Sequence, residues 1–130
     1  MKELEDKVYK HLKDRNWHNL RPADLAKSIM IEGAELLELF QWENLSLAEI
    51  RKDKEKMEEI KKELADVLIY ALEMSVLLGL DTKKIIKKKL AYAAKKYPAK
   101  LMRKNGGSES GSGRDPLYWQ IKKKYRRQGK

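Results

Sequence analysis

The amino-acid sequence predicts an all-α fold, in which four to five helices form a bundle. Apolar residues recur at three- and four-residue intervals over long stretches, which is the pattern of helices that bury one face. Helix start and stop signals separate these stretches, notably Pro22, the pair Ser46 and Glu49, and Gly79. At 130 residues, the chain is long enough for one domain with a modest core.

The first two helices are predicted at residues 2–14 and at about 22–42. In the first, a four-residue spacing of apolar side chains continues through Leu4, Val8 and Leu12. Pro22 suits the first turn of the second helix, because its missing N–H would have no partner there. Asp24 adds a negative charge that stabilises the positive end of the helix dipole.

A third helix is expected to begin at Ser46, and a break is expected near residues 51–54, where apolar residues are scarce. The next helix is predicted over about 53–79, and Gly79 ends it. Residues 67–78 of this helix are apolar on most sides. A short domain cannot cover such a helix completely, so we expect burial between subunits.

The last helix of the bundle is expected to begin after Asp81, a good N-cap, and to break or bend at Pro98. We therefore predict a helical domain over residues 1–104. Residues 105–114 have the Gly/Ser composition of a flexible linker. Residues 115–130 are predicted to be a basic amphipathic helical peptide, interpreted either as a deliberate fusion or as an appendage without a function.

Composition argues against several classes of protein. The chain has no cysteine, which excludes disulfides and thiolate metal sites. Its apolar runs are shorter than the roughly 20 residues that span a bilayer, and no secretory leader is recognisable, so a cytoplasmic location is expected. The net charge is +10, and residues 105–130 supply half of it with 7 basic against 2 acidic residues. A basic segment this short does not predict specific nucleic-acid binding.

Four carboxylates are the main candidates for chemistry. Glu32 and Glu35 are spaced i,i+3 on one predicted helix, and Glu63 and Asp66 have the same spacing on another. Glu32 falls inside an apolar stripe, where an ionised carboxylate is costly without a partner. Two facing acidic pairs would repel each other unless a divalent cation lay between them. An Arg or Lys from another helix is the alternative partner.

The segments around these carboxylates resemble a known family. SIMIEGAELLELFQW, ELADVLIYALEMSVLLGLD and KKYP are similar to segments of the all-α nucleoside triphosphate pyrophosphohydrolases, the MazG-like and dCTP pyrophosphatase group. The family pattern, ExxE followed by ExxD, corresponds to Glu32, Glu35, Glu63 and Asp66. The resemblance covers roughly residues 10–104. It implies a four- to five-helix MazG-like bundle that assembles as a dimer or a dimer of dimers, which means a homodimer or homotetramer.

The resemblance also implies a reaction. The four carboxylates would bind Mg²⁺, with Mn²⁺ as a substitute, and the metal would hold the triphosphate of a nucleotide. Water would attack the α-phosphorus and release a nucleoside monophosphate and pyrophosphate, as in nucleotide-pool house-cleaning. Glu32 or Glu35 would be the catalytic base that accepts the proton of this water.

Five further residues match family positions for substrate binding. Trp17 and Trp42 correspond to tryptophans near the base, although both could instead be core or interface residues. Tyr70 corresponds to a tyrosine near the ligand, and Lys89 to a lysine that meets phosphate. Tyr97 belongs to the same family motif as Lys89.

One family position differs in this sequence. Ala93 stands where the family has an asparagine that contacts the ligand, which puts the activity of this chain in question. Together with the linker and residues 115–130, this difference motivates an alternative function, which ranks second. In that alternative, the chain is an engineered oligomeric helical scaffold that displays its C-terminal peptide to a protein partner.

Overall fold

The computed structural model describes residues 1–104 and 116–130, and in these residues it contains seven helices and no strand. The all-α prediction is therefore confirmed. The predicted linker at 105–114 lies outside the described residues. The helices are α1 (Lys2–Asp14), α2 (Pro22–Glu38), α3 (Leu47–Lys52), α4 (Lys54–Leu77), α5 (Thr82–Lys96), α6 (Ala99–Lys104) and α7 (Pro116–Arg127).

The chain divides into two compact units, Met1–Lys83 and Lys84–Lys130, which are described separately. In the first unit α4 is the central helix, because α1, α2 and α3 all pack against it. The α2–α4 interface is the most extensive of the three. This interface places the two acidic motifs of the sequence on neighbouring helices.

A small apolar core holds α1 against the C-terminal half of α4. Val8, Leu12 and Leu72 are buried together, and Val76 and Leu77 pack against them. Leu12 is completely buried. Burying a side chain of this size stabilises the fold by roughly 1.5–3 kcal/mol relative to exposure. The core therefore fixes how the C-terminal half of α4 lies against α1.

The predicted capping signals form as expected around α3 and α4. The backbone N–H of Glu49 donates to Ser46 Oγ at 3.2 Å, and the N–H of Ser46 donates to Glu49 Oε2 at 2.8 Å. Asp53 interrupts the helices with an extended backbone, and its side chain accepts the N–H of Lys56 at 3.0 Å. Gly79, at a φ of +67°, lies just after α4, where a residue with a side chain would be strained.

The predicted end of α2 was wrong. The helix ends at Glu38 and not at residue 42, and residues 39–42 form a turn. Here the N–H of Phe40 donates to Leu37 O at 2.9 Å, and that of Gln41 to Glu38 O at 3.2 Å. These bonds reach back three residues and not four, because the chain tightens as it leaves the helix.

Several apolar side chains of α4 lie on the surface of the single chain. Leu68 is 59% exposed, and Ile69 and Leu78 are also exposed. The apolar surface predicted for residues 67–78 is thus present and is not covered by the first unit itself. No helix in the described part of the chain is long and apolar enough to cross a membrane.

In the second unit, aromatic side chains of α7 contact those at the end of α5. The ring of Tyr118 stacks on Tyr97 with centroids 4.9 Å apart, and Tyr125 meets the ring of Tyr92 edge-on at 6.3 Å. The ammonium of Lys96 lies over the Tyr125 ring at 4.8 Å. This C-terminal helix extends over Pro116–Arg127, and Tyr118 and Tyr125 pack inside its own unit.

Candidate functional site

The packing of α2 on α4 brings three of the four predicted carboxylates together. Glu32 projects from α2, and Glu63 and Asp66 project from one face of α4. One oxygen from each of the three lies within 4.8 Å of the other two. We call Glu32, Glu63 and Asp66 the carboxylate cluster. All three side chains are half-buried, so water screens their mutual repulsion less than at an open surface.

Few positive charges or hydrogen-bond donors of the protein balance the negative charge of the carboxylate cluster. Glu63 Oε2 is buried and has no hydrogen-bond partner among the described residues. Lys62 Nζ approaches Glu63 Oε1 at 3.8 Å, but this lysine side chain is itself exposed. No ion pair reaches Glu32 or Asp66 within residues 1–104 and 116–130, so the alternative of an inserted Arg or Lys finds little support.

The donor set suits a hard divalent cation. Three convergent carboxylates, one with an unpartnered buried oxygen, match the oxygen ligands that Mg²⁺ and Mn²⁺ prefer. Mg²⁺ commonly takes only one or two carboxylates from a protein and completes its shell with water and phosphate oxygens. The residues present therefore fit such a metal without further protein ligands.

Glu35 does not join the cluster. It is exposed, one turn along α2 from Glu32, and it lines a different cavity of 720 Å³. The other walls of that cavity come from α2 and the turn after it, and they include Ile31, Leu37 and Phe40. Residues three apart on a helix point about 60° apart. Because of the way α2 packs on α4, Glu32 lies in the carboxylate cluster and Glu35 does not.

A second cavity, of 480 Å³, adjoins the carboxylate cluster and shares Asp66 with it. We call it the α1–α4 cavity, because α1, α2, α4 and the segment after α1 enclose it. Its lining combines aromatic, apolar and acidic side chains. Apolar and aromatic walls with a few polar groups are the usual lining of a small-molecule site.

Trp17 reaches this cavity because the chain reverses just after α1. Asn16 takes a left-handed conformation with a φ of 58°, which asparagine tolerates better than most residues. The N–H of Trp17 then donates to Leu12 O at 2.8 Å and fixes the turn. The indole is 49% exposed and meets the ring of His11 edge-on at 6.2 Å. One face of the indole therefore remains available to a ligand.

Tyr70 lies one turn after Asp66 and lines the same cavity. Burial raises the pKa of its hydroxyl above the ordinary value, and the nearby carboxylates of Glu32, Glu73 and Asp66 raise it further. The hydroxyl consequently stays protonated at neutral pH. It can donate a hydrogen bond to a ligand in the cavity.

Glu73 is a cavity residue that the sequence analysis missed. It is 6% exposed, and burial raises the pKa of its carboxyl, while the nearby positive charge of His11 opposes that change. The sequence does hold a signal for it. Spacings of three, four and three residues separate Glu63, Asp66, Tyr70 and Glu73. These spacings place the four side chains on one continuous polar face of an otherwise apolar helix.

The remaining predicted binding residues lie elsewhere. Trp42 follows α2, is 87% exposed and lines neither of the two cavities. Lys89 and Tyr97 belong to the second unit, where Lys89 Nζ lies 4.8 Å from the ring centroid of Tyr92 and Tyr97 stacks on Tyr118. Within the first unit, the carboxylate cluster is therefore joined by Trp17 and Tyr70.

Comparison with known proteins agrees with this arrangement. The profile of the MazG-like family matches residues 27–109, which include all three residues of the carboxylate cluster. A crystal structure of a pyrophosphatase from Archaeoglobus fulgidus DSM 4304 is similar to this chain, with 38% sequence identity and a TM-score of 0.65. The match covers 75% of this chain and 92% of that one. No curated protein matches the sequence.

Proposed function

The chain belongs to the MazG-like family, and on that premise we propose that it hydrolyses nucleoside and deoxynucleoside triphosphates to monophosphate and pyrophosphate. The similar structure from Archaeoglobus fulgidus is a pyrophosphatase, which supports this class of reaction. The observation that carries the proposal is the carboxylate cluster beside the α1–α4 cavity. A triphosphate would lie at the carboxylates and a base against Trp17. Such an enzyme would serve nucleotide-pool house-cleaning.

Glu32, Glu63 and Asp66 would hold the metal. Their convergent oxygens and the unpartnered Glu63 Oε2 support Mg²⁺ as the cofactor, with Mn²⁺ as a substitute. A bound divalent ion would supply charge neutralisation at the phosphates and would lower the pKa of a coordinated water. Without such an ion, the cluster would repel the triphosphate.

The reaction itself needs a base for the attacking water. As water attacks the α-phosphorus, the bond to the bridging oxygen of the β-phosphate breaks and pyrophosphate leaves. The proton of the water passes to a carboxylate, for which Glu32 and Glu35 are the candidates. Glu32 lies in the cluster, whereas Glu35 lines another cavity and would have to turn toward the cluster to reach this water.

Substrate binding is assigned as follows in this proposal. Trp17 stacks on the base, and the hydroxyl of Tyr70 donates a hydrogen bond near the phosphates. Lys89 and Tyr97, which lie in the second unit, stay predictions that rest on the family motif. Trp42, exposed in the single chain, would contact a nucleotide bound to a neighbouring subunit.

This last assignment requires an oligomer, and we propose a homodimer or homotetramer. The support is the apolar surface of α4, where Leu68, Ile69 and Leu78 are exposed, together with the apolar cavity along α2. Subunit association would remove this surface from water. Light scattering or analytical ultracentrifugation gives the mass directly, and a monomer at micromolar concentration would contradict the assignment.

The test of the function is turnover. Each of the common nucleoside and deoxynucleoside triphosphates is incubated with the protein and Mg²⁺, and the products are separated by ion-exchange chromatography. The expected products are the monophosphate and pyrophosphate, and EDTA should stop the reaction. Absence of turnover with every nucleotide, with either Mg²⁺ or Mn²⁺, would refute the proposal. It is also the result expected if Ala93, in place of the family's asparagine, abolishes activity.

A second candidate function, display of the C-terminal peptide to a protein partner, rests on α7. Lys123, Lys124, Arg126 and Arg127 are exposed on this helix and form a basic surface. However, the aromatic side chains Tyr118 and Tyr125 are engaged by α5 and are not free for a partner. Removing residues 105–130 separates the functions: hydrolysis should persist, while any binding of an acidic partner should disappear.

A further inference from the structure

Two carboxylates of the α1–α4 cavity, Asp24 and Glu73, have no function in hydrolysis, and Asp24 accepts a hydrogen bond from Lys27 Nζ at 3.4 Å. Glu73 is 6% exposed and forms no hydrogen bond or ion pair with any described residue, and its carboxylate oxygens reach the cavity. Burial disfavours its ionised form. A hydrogen-bond donor from a ligand in the cavity would offset that cost.

The position of Glu73 relative to the cluster suits one part of a nucleotide. Glu73 lies seven residues after Asp66 on α4, which is roughly 10 Å along the helix at about 1.5 Å per residue. That separation is comparable to the distance from the α-phosphate to the far edge of the base. Both residues line the same cavity, and Trp17, the candidate stacking residue, lies in its wall as well.

We propose that Glu73 selects the nucleobase by accepting a hydrogen bond from its exocyclic amino group. This assignment rests on the proposed hydrolysis of nucleoside triphosphates at the neighbouring cluster. It predicts that the cavity favours guanine, cytosine and adenine over bases that carry a carbonyl or a hydrogen at the same place, which are uracil, thymine and hypoxanthine.

The hydrogen-bonding properties of a carboxylate predict the order of preference among these bases. An ionised carboxylate has acceptors only, so a base carbonyl facing it would be repelled. Guanine offers two adjacent donors, N1–H and the 2-amino group, and can satisfy both oxygens of Glu73. Cytosine and adenine offer one amino group beside a ring nitrogen that is itself an acceptor. We therefore expect guanine to be preferred, then cytosine and adenine.

The other groups at this end of the cavity agree with such a role. His11 lies near Glu73 and its positive form favours the ionised carboxylate. The ring of His11 meets Trp17 edge-on, so one side chain of α1 lies beside the stacking residue and near the acceptor. Tyr70 is closer to Asp66 along α4, which leaves Glu73 as the acceptor furthest from the cluster.

Two matched pairs of substrates test the proposal, because each pair differs in the exocyclic amino group. We would compare kcat/KM for GTP against ITP and for dCTP against dUTP, using the wild-type protein, Glu73→Gln and Glu73→Ala. The wild type should prefer GTP and dCTP by roughly 10- to 100-fold, the range of a hydrogen bond to a charged group. Glu73→Gln can donate to a carbonyl, so the dCTP preference should vanish or reverse.

Glu73→Gln has nearly the same shape as the wild type, so loss of folding is not expected, and circular dichroism would verify it. A purely structural Glu73 would change the rates for both members of a pair equally. The proposal is overturned if the wild type does not distinguish the members of either pair. It is also overturned if the folded Glu73→Gln variant retains both preferences.

A binding measurement separates this proposal from the failure of hydrolysis. Calorimetric titration of GMP, IMP, dCMP and dUMP in the presence of Mg²⁺ requires no turnover. If the protein binds GMP and dCMP more tightly than IMP and dUMP but hydrolyses nothing, the base selection holds and the proposed reaction fails. If it binds no monophosphate, or binds the members of each pair equally, the base selection fails.

Discussion

The two acidic motifs have the same spacing but different environments. On α4, Glu63 and Asp66 both join the carboxylate cluster, whereas on α2 Glu32 joins it and Glu35 lines another cavity. The difference comes from the neighbours of each helix. α4 packs on both α1 and α2, while α2 packs on α4 and leaves Glu35 and Leu37 exposed. An i,i+3 spacing alone therefore does not decide whether both members of a pair reach the neighbouring helix.

The largest expected effect is the loss of activity when the α4 pair is broken. Glu63→Ala or Asp66→Ala should reduce kcat/KM by more than about 100-fold, because each would remove a ligand of the proposed metal, which would contribute several kcal/mol to the transition state. Glu55→Gln, at an exposed acid on the same helix, should retain activity. A Glu63→Ala variant with near-normal turnover would show that the cluster is not the reaction centre.

The next prediction concerns the contrast within the α2 pair. Glu32→Gln should weaken Mn²⁺ binding by more than about tenfold, because Glu32 is in the cluster. Glu35→Gln should leave Mn²⁺ affinity nearly unchanged, and a loss of kcat of about 100-fold or more would identify it as the base. Electron paramagnetic resonance of Mn²⁺ measures affinity independently of turnover. Equal weakening in both variants would mean that Glu35 rotates into the cluster when metal binds.

The two tryptophans also lie in different environments, and this difference predicts different effects on substrate binding. Trp17→Ala should raise KM by roughly 5- to 100-fold, because stacking on a base contributes about 1–3 kcal/mol. Trp42→Ala should raise KM only in the assembled oligomer, because this side chain is exposed in the single chain. Steady-state kinetics above and below the concentration at which subunits dissociate measures the difference. An effect of Trp42→Ala that persists after dissociation would contradict the neighbouring-subunit assignment.

The smallest expected effect is a pH-dependent change in stability at Glu73. Burial raises the folded-state pKa of this acid above its ordinary value of 4.5, so its ionised form destabilises the fold at neutral pH. That cost is lost as the pH falls through the raised pKa to below the ordinary value. Glu73→Gln should therefore be more stable than wild type at pH 7, and the difference should vanish below about pH 4.

Urea unfolding at a series of pH values measures this difference. His11 and Tyr70 are the other titratable groups that interact with Glu73, so His11→Gln is the matched control for a charge on the neighbouring helix. If Glu73→Gln is destabilised equally at every pH, the carboxylate contributes through packing and not through its charge.

Local signals in the sequence predicted much of the fold. The bounds of α1, the capping box of Ser46 and the glycine after α4 follow from interactions within a few residues, and the structure has them. Periodicity also predicted that the two acidic motifs lie on helices. The end of α2 at Glu38 was not predicted, because the apolar residues of the following turn continue the helical pattern.

The candidate site was less predictable, since it depends on how helices cross. Whether Glu35 faces α4 is decided by about 60° of rotation, which spacing alone does not fix. Glu73 was missed for a related reason: an acid in an apolar stretch could be exposed or buried, and the packing of the neighbouring helices decides which. Which residues line each cavity therefore depends on contacts between helices, and the sequence pattern alone does not give these contacts.

The most direct test of the proposed reaction follows the oxygen of water. Hydrolysis of the best triphosphate substrate in ¹⁸O-enriched water, with Mg²⁺ present, is analysed by ³¹P NMR. Attack at the α-phosphorus predicts one ¹⁸O in the monophosphate and none in the pyrophosphate. Label in the pyrophosphate, or formation of a diphosphate and inorganic phosphate, would contradict the placement of the α-phosphate at Glu32, Glu63 and Asp66.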